Sequence, residues 1–209
     1  MTTSIRLILA EDDDFLRQLL QLQCESMGAI VAPVCDGEEA VSLALSYEYD
    51  ILLLDINMPK CDGIQAMTLL RQLGYDRPII AMSADEVTVE GFTSVLKKPL
   101  NEQDLQQLLQ QENQHPTIEL VVGDDLQQQF LQGLALTKQQ LEQAYQANDR
   151  PELQRLSHKL KGSAGSFGFP QLSDAADQLQ RAILQQQTEA QLHAGFRQLL
   201  HHLQEASHE

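Results

Sequence analysis

Basic residues are scarce in this sequence: 14 Lys and Arg stand against 30 Asp and Glu, a formal net charge of −16. A surface of that sign repels phosphate backbones and anionic lipid, which disfavours nucleic acid and membranes as direct partners. Cysteine is rare as well. Cys24, Cys35 and Cys61 are odd in number and lack C-x-x-C spacing, which argues against a disulfide framework or zinc site and for a reducing compartment. The segment Ile5–Ala10 is far too short for a signal h-region or a membrane span, and no apolar run exceeds it. Together these absences predict a soluble, cytoplasmic protein. There is no ATP-binding motif and no internal repeat. What is present is an ordinary globular balance, 43% hydrophobic and 21% charged, over 209 residues. That length allows one large core or two small ones.

Periodicity favours two. From residue 5 to about 111, short apolar runs alternate with amphipathic stretches. The predicted strands are Ile5–Ala10, Ile30–Val34, Ile51–Leu54, Pro78–Met82 and Ser94–Leu96. Ile51–Leu54 and Ile79–Met82 lack polar alternation, as strands buried on both faces of a parallel sheet do. Leu16, Leu19, Leu20 and Met27 share one helical face, and Met67, Leu70 and Leu73 another. The pattern predicts a doubly wound α/β domain with a five-stranded parallel sheet over residues 1–112. Pro33 lacks an N–H, so the second strand should lie at the sheet edge.

Asn113-Gln114-His115-Pro116 interrupts a Gln-rich helix and predicts a linker over 113–117. Residues 118–209 then read as an all-α helical bundle, with Ile118–Val122 ambiguous. Leu126, Phe130, Leu134, Leu141 and Ala144 form the inner face of a helix from about Asp124 to Ala147. Gly133 and Thr137-x-x-Gln140 offer a break within it. Further helices are expected over about Pro151–Phe167, Gln171–Gln187 and Glu189–Glu205.

In open α/β sheets, ligands bind beyond the carboxyl ends of the strands. The first strand delivers Glu11, Asp12, Asp13 and Asp14 there; the third delivers Asp55 and then Asn57. The fourth delivers Ser83, and the fifth Lys97, Lys98 and Pro99. Converging carboxylates repel one another unless a hard cation neutralises them, and Mg²⁺ suits oxygen donors. An aspartate oxygen can then attack phosphorus, with a lysine and a hydroxyl holding the phosphoryl oxygens. Singly, each residue has a plain alternative. Asp13 or Asp14 fits a helix N-cap, Asp55 a turn, and Lys-Pro a loop. Their joint occurrence, in order at four strand ends, carries the reading.

Leu9-Ala10-Glu11-Asp12-Asp13, Leu52-Leu53-Leu54-Asp55-Ile56-Asn57-Met58-Pro59, Met82-Ser83-Ala84 and Lys97-Lys98-Pro99 resemble the motifs of response-regulator receiver domains. The resemblance covers residues 5–112 and implies a flavodoxin-like fold with Asp55 as phosphoacceptor. It implies Mg²⁺ on the Asp12 and Asp55 side chains and the Asn57 backbone carbonyl, with Glu11 acting through a metal-bound water. Ser83 and Lys98 would bind the phosphoryl oxygens, and Met58-Pro59 and Asp62-Gly63 match the loop after the acceptor. One departure stands out. The position three before Lys98, often aromatic in the family, is Val95, which puts signalling through an aromatic rotamer in doubt.

In the second half, Leu153, Leu156, Leu160, Ala164 and Phe167 form a core stripe at spacings of three and four. His158 lies ~160° from Leu156 and Leu160 at about 100° per residue, so it is expected to point to solvent. Lys161, Gly162 and Gly165 share its face. Glycines inside a helix cost about 1 kcal/mol each relative to alanine. Beside a histidine they leave a shallow platform on which another protein can reach the imidazole, while Lys161 adds positive charge for a phosphoryl group. The alternatives are a solvated histidine near a frayed helix end, or a metal ligand. No second His or Cys stands three or four residues away to support the latter. His201, His202 and His208 belong to a solvated terminus.

The string His158-Lys159-Leu160-Lys161-Gly162-Ser163-Ala164-Gly165 is similar to the signature of histidine-containing phosphotransfer (HPt) domains. The similarity spans about residues 118–206 and implies a four-helix core with His158 as phosphoacceptor. Lys161 would support it and Gly162 would give clearance, while the docking receiver supplies the metal and lysine. The combined expectation is a phosphorelay carrier, not a turnover enzyme, with self-catalysed magnesium-dependent transfer. A sensor histidine kinase and a downstream receiver domain are its expected partners. The short linker favours exchange between molecules. Competing readings are the tail of a hybrid sensor kinase, although Met1 and the compact opening suit a complete chain, and a phosphorylation-dependent docking module. A third is an aspartate-nucleophile phosphohydrolase, whose general acid two residues after the nucleophile is here Asn57.

Overall fold

The computed structural model describes residues 4–85, 89–110 and 124–207. The chain divides into two compact units, Met1–Val121 and Val122–Glu209. The predicted linker and the ambiguous stretch Ile118–Val122 lie outside the described residues.

The first unit contains β1 (Arg6–Ala10), α1 (Asp14–Ser26), β2 (Ile30–Val34), α2 (Gly37–Ser46), β3 (Ile51–Asp55) and α3 (Gly63–Gln72). These are followed by β4 (Ile79–Ser83), β5 (Ser94–Lys97) and α4 (Glu102–Gln110). All five predicted strands form one parallel sheet in the order β2-β1-β3-β4-β5. β3 and β4 are buried at every position, which is why their sequences show no polar alternation. β2 is an edge strand, the position that tolerates Pro33. Leu7, Ile8, Leu9, Leu52, Leu53 and Leu54 are fully buried, and each such side chain contributes about 1.5–3 kcal/mol by leaving water. The chain runs to opposite sides from β1 and β3, so the crevice of this fold opens at their carboxyl ends.

Two predicted helix faces shift at their C-terminal ends. Cys24, four residues after Leu20, completes the buried face of α1, while Met27 is the C-cap. In α3 the buried set is Gly63, Ala66, Met67 and Leu70, and Leu73 is a 56%-exposed C-cap. In both cases the helix ends before the apolar period does, so the last residue is turned off the face.

Between β4 and β5 the connection is short, and its described residues contain no helix. Arg71 of α3 ties it to the loop before β4, donating to the Gly91 carbonyl at 3.0 Å and to those of Tyr75 and Arg77 at 2.7 and 2.9 Å. Gly91 has φ +109, a conformation that calls for glycine, and the Met67 thioether packs into the space where a Cβ would stand. Val89 and Phe92 pack on the core beside it.

The second unit contains α5 (Asp124–Gln146), α6 (Arg150–Ser166), α7 (Pro170–Leu184) and α8 (Glu189–Ala206). Consecutive helices pack together and α5 closes against α8, an up-and-down bundle. α5 is continuous, so the break offered at Gly133 and Thr137 is not used; Thr137 Oγ1 instead donates to the Gly133 carbonyl within the helix. Asp149 caps α6 by accepting from Glu152 N, and Pro151 stands in the first turn, where its missing N–H is tolerated. Every predicted inner residue of α5 and α6 is buried. Phe130 stacks on Phe167 with centroids 4.4 Å apart, and Tyr145 on Phe196 at 4.0 Å. Among the described residues no helix is long and apolar enough to cross a membrane.

Candidate functional site

β1 and β3 are neighbours in register, Ala10 opposite Leu54. Glu11 and Asp12 therefore leave β1 beside Asp55 at the end of β3. One carboxylate oxygen from each of Glu11, Asp12 and Asp55 lies within 4.8 Å of the others. β4 and β5 complete the cluster: Ser83 pairs with Lys97, and Lys98 N–H donates to the Ser83 carbonyl at 2.7 Å. Lys98 turns inward and Lys97 outward, so the buried ammonium is that of Lys98. Its Nζ lies 2.6 Å from Glu11 Oε2 and 2.9 Å from Asp55 Oδ2. Glu11, Asp12, Asp13, Asp55, Ser83 and Lys98 are thus buried or half-buried at one end of the sheet, whereas Asp14, Asn57 and Lys97 are exposed.

The local sequence explains this geometry. Asp13 accepts from Phe15 N and Leu16 N and is the N-cap of α1, so the third acid is spent on structure. Asp14 is exposed and pairs with Arg17. Glu11 Oε1 accepts from Asp13 N at 3.2 Å, which with the Lys98 contact engages both its oxygens. Asn57 N donates to Asp55 Oδ1 at 3.3 Å, and Ser83 Oγ accepts from Asp85 N at 3.1 Å. After Asp55 the chain turns so tightly that an added Cβ at Gly63 would lie 2.3 Å from the Asp55 carbonyl oxygen. Glycine at the start of α3 is what lets the acceptor loop close.

Burial pushes the Glu11 carboxyl up to about 8, against the pull of Lys98 and with the push of Asp55. Burial works against the Lys98 ammonium too, but Asp55 and Glu11 outweigh it and hold its pKa above the ordinary lysine range. Three carboxyls facing one ammonium leave an excess of oxygen donors. With no imidazole or thiolate among them, the set fits a hard cation such as Mg²⁺. A second group, Cys35, Asp36 and Glu39, is otherwise employed. Asp36 caps α2 through Oδ1 and binds Lys60 Nζ at 2.6 Å through Oδ2.

In the bundle His158 is half-buried rather than directed to solvent. Beyond the Leu stripe of α6, α7 packs along a flank of that helix, so Ser157, Gly162 and Ser163 are buried as well. His158 Nδ1 lies 3.1 Å from Gln180 Nε2 of α7. Gln180 is 5% exposed, and its Oε1 is buried without a hydrogen-bond partner. Lys161 Nζ is 2.7 Å from Asp177 Oδ1, also on α7, and Asp177 Oδ2 meets Arg181. Gln180 and Asp177 were not anticipated. The signal for Gln180 was available: it sits four residues after Ala176 and three before Ile183, a polar residue inside the buried stripe of α7.

A family profile described as "Response regulator receiver domain" matches residues 7–110, and one described as "Hpt domain" matches residues 125–209. Sensor histidine kinase GacS of Pseudomonas protegens is 27% identical over 228 residues, covering 88% of this chain and 25% of that protein. Transcription factor SKN7 of Saccharomyces cerevisiae is 34% identical over 109 residues, 49% of this chain and 18% of that protein. Among solved structures, full-length ShkA in complex with AMPPNP is 37% identical over 53% of this chain and 24% of that one, with a TM-score of 0.50. The chain spans a quarter or less of the length of each of these proteins.

Proposed function

Because the chain joins a receiver domain to an Hpt domain, and so belongs to the two-component phosphorelay proteins, we propose that Asp55 is the phosphoacceptor of the first unit and His158 the phosphocarrier of the second. Domains of these families are signalling phosphotransfer modules rather than classical enzymes. The observation that carries the reading is the convergence of Glu11, Asp12, Asp55 and Lys98 at the strand ends.

In the receiver step an Asp55 carboxylate oxygen forms a bond to phosphorus as the donor's phosphorus–nitrogen bond breaks. Lys98, already 2.9 Å from Asp55, offsets the charge arriving on the phosphoryl oxygens, and the Ser83 hydroxyl contacts one of them. Asp12, Asp55 and the Asn57 carbonyl would hold Mg²⁺, with Glu11 reaching it through water. Bound there, the ion supplies charge neutralisation for phosphoryl transfer. In the bundle, the Gln180 contact at Nδ1 supports Nε2 as the nitrogen that takes the phosphoryl group. An Nε2 nucleophile needs its proton on Nδ1. Turning the Gln180 amide so that Oε1 accepts that proton would also give the unpartnered buried oxygen its hydrogen bond.

A sensor histidine kinase is the proposed donor to Asp55, and a receiver domain on another protein exchanges with His158. The likeness to GacS across both units supports a kinase partner. The three free cysteines support a cytoplasmic place of action. The proposed division is a receiver over 1–112 and a bundle over 118–209, with 113–117 as linker. The test is labelling with acetyl phosphate and magnesium, followed by presentation of phosphorylated receiver domains. Asp55→Asn should abolish the first label and His158→Gln the second. Label persisting at both stages in the two variants would overturn the assignment.

A further inference from the structure

We infer that Asp177 is a positioning residue of the His158 site: it holds Lys161 in reserve and sets how fully His158 keeps a phosphoryl group. The inference rests on His158 being the carrier, as proposed above.

The geometry is a ladder between α6 and α7. His158 faces Gln180, Lys161 faces Asp177, and the Lys161 carbonyl accepts from Ser173 Oγ at 2.7 Å. Each step forward along α6 is a step back along α7, so the helices run antiparallel here. The imidazole and the ammonium consequently lie one turn apart along the same groove. The Lys161 and Asp177 side chains are only 13% and 15% exposed. A charge-assisted hydrogen bond so sheltered is stronger than one on open surface.

A phosphoryl group on His158 would bring nearly two negative charges to the neighbouring turn. Lysine carries its charge on a flexible stem with three donors, so Lys161 can exchange Asp177 for the phosphoryl oxygens. Asp177 would not be stranded, because Arg181, whose side chain is 66% exposed, already contacts its other oxygen. Asp177 is therefore a competitor of phosphohistidine for Lys161. Its charge lowers the occupancy of His158 and favours passing the group on.

The experiment uses the full chain carrying Asp55→Asn, so that only His158 retains label, with phosphoramidate as donor. The readout is the steady-state ratio of phosphorylated to free His158. Adding Asp177→Asn should raise that ratio roughly threefold to tenfold, and Asp177→Glu should return it toward the parent value. In a Lys161→Gln background the same substitution should change nothing. An unchanged ratio in Asp177→Asn, or an equal rise without Lys161, would overturn the inference. Should Asp177→Asn unfold the bundle, the ¹⁵N signal of the Lys161 ammonium in the parent chain decides: it should shift on His158 labelling, and constancy refutes the exchange. Absence of any label on His158 would instead defeat the function proposed above, and this inference with it.

Discussion

In the receiver unit the Lys98 side chain is 4% exposed and bridges Glu11 and Asp55; in the bundle Lys161 is 13% exposed and pairs with Asp177. The receiver assembles its charges from β1, β3 and β5, which are far apart in sequence, whereas the His158–Gln180 and Lys161–Asp177 pairs join the consecutive helices α6 and α7. The difference matches the division of chemical labour proposed above. Charges gathered at one end of the sheet are held by the core of the domain, as the proposed stabilisation of transferring phosphorus requires. A groove between two helices can hold an imidazole in orientation but gathers little charge of its own.

The sharpest way to break this comparison is to remove each ammonium. Lys98→Met leaves buried Glu11 and Asp55 facing each other uncompensated and should cost the receiver unit about 3–5 kcal/mol. Lys161→Met leaves Asp177 with Arg181 and near solvent, and should cost the bundle no more than about 1 kcal/mol. Urea denaturation in chelator, followed separately for the two units, measures both. Equal losses would mean that the two lysines do the same structural work.

Magnesium should sharpen the contrast. Among the described residues the oxygen cluster lies in the receiver unit, so at a hundredfold excess over its Kd the ion should stabilise that unit by about 2.7 kcal/mol. The bundle transition should stay where it is. Calorimetry with and without Mg²⁺ gives the result, and Asp12→Asn should diminish the shift. A displacement of both transitions would point to binding outside Glu11, Asp12 and Asp55.

The receiver was more legible in the sequence than the bundle, for a physical reason. Strands buried on both faces are short apolar runs, and the residue following each one lands at the functional end of the sheet. Glu11, Asp12, Asp55, Ser83 and Lys98 could therefore be placed together from order alone. Pro33 even located the edge strand. What the strand pattern left open was partner choice: which acid caps α1, and that Lys98 bridges Glu11 and Asp55. In the bundle, one helix fixes only its own faces. The wheel of α6 marked His158 and Lys161 but could not say that α7 packs along the flank they occupy. His158 is half-buried for that reason, and Gln180 and Asp177 went unread. Contacts between helices depend on which turn meets which, and no local period encodes that.

The smallest expected effect lies on that same pair of helices. Burial pushes the Asp177 carboxyl up, but hydrogen bonds and attraction from Lys161, joined by Arg181, outweigh it and hold its pKa below the ordinary value. A carboxyl depressed by folding adds stability at pH above its unfolded value of about 3.9, and loses it as pH falls through the folded value. The bundle should therefore lose this contribution on acidification below about pH 4, and Asp177→Asn should flatten that limb by less than about 1 kcal/mol. The substitution removes the titrating group but leaves a side chain of nearly the same shape, so a flattened limb reports charge rather than packing. Thermal melts of the bundle between pH 6 and pH 3 would give the two slopes. Parallel curves for parent and variant would mean that Lys161 does not depend on Asp177 in the folded bundle, and that its place in the groove is set by packing alone.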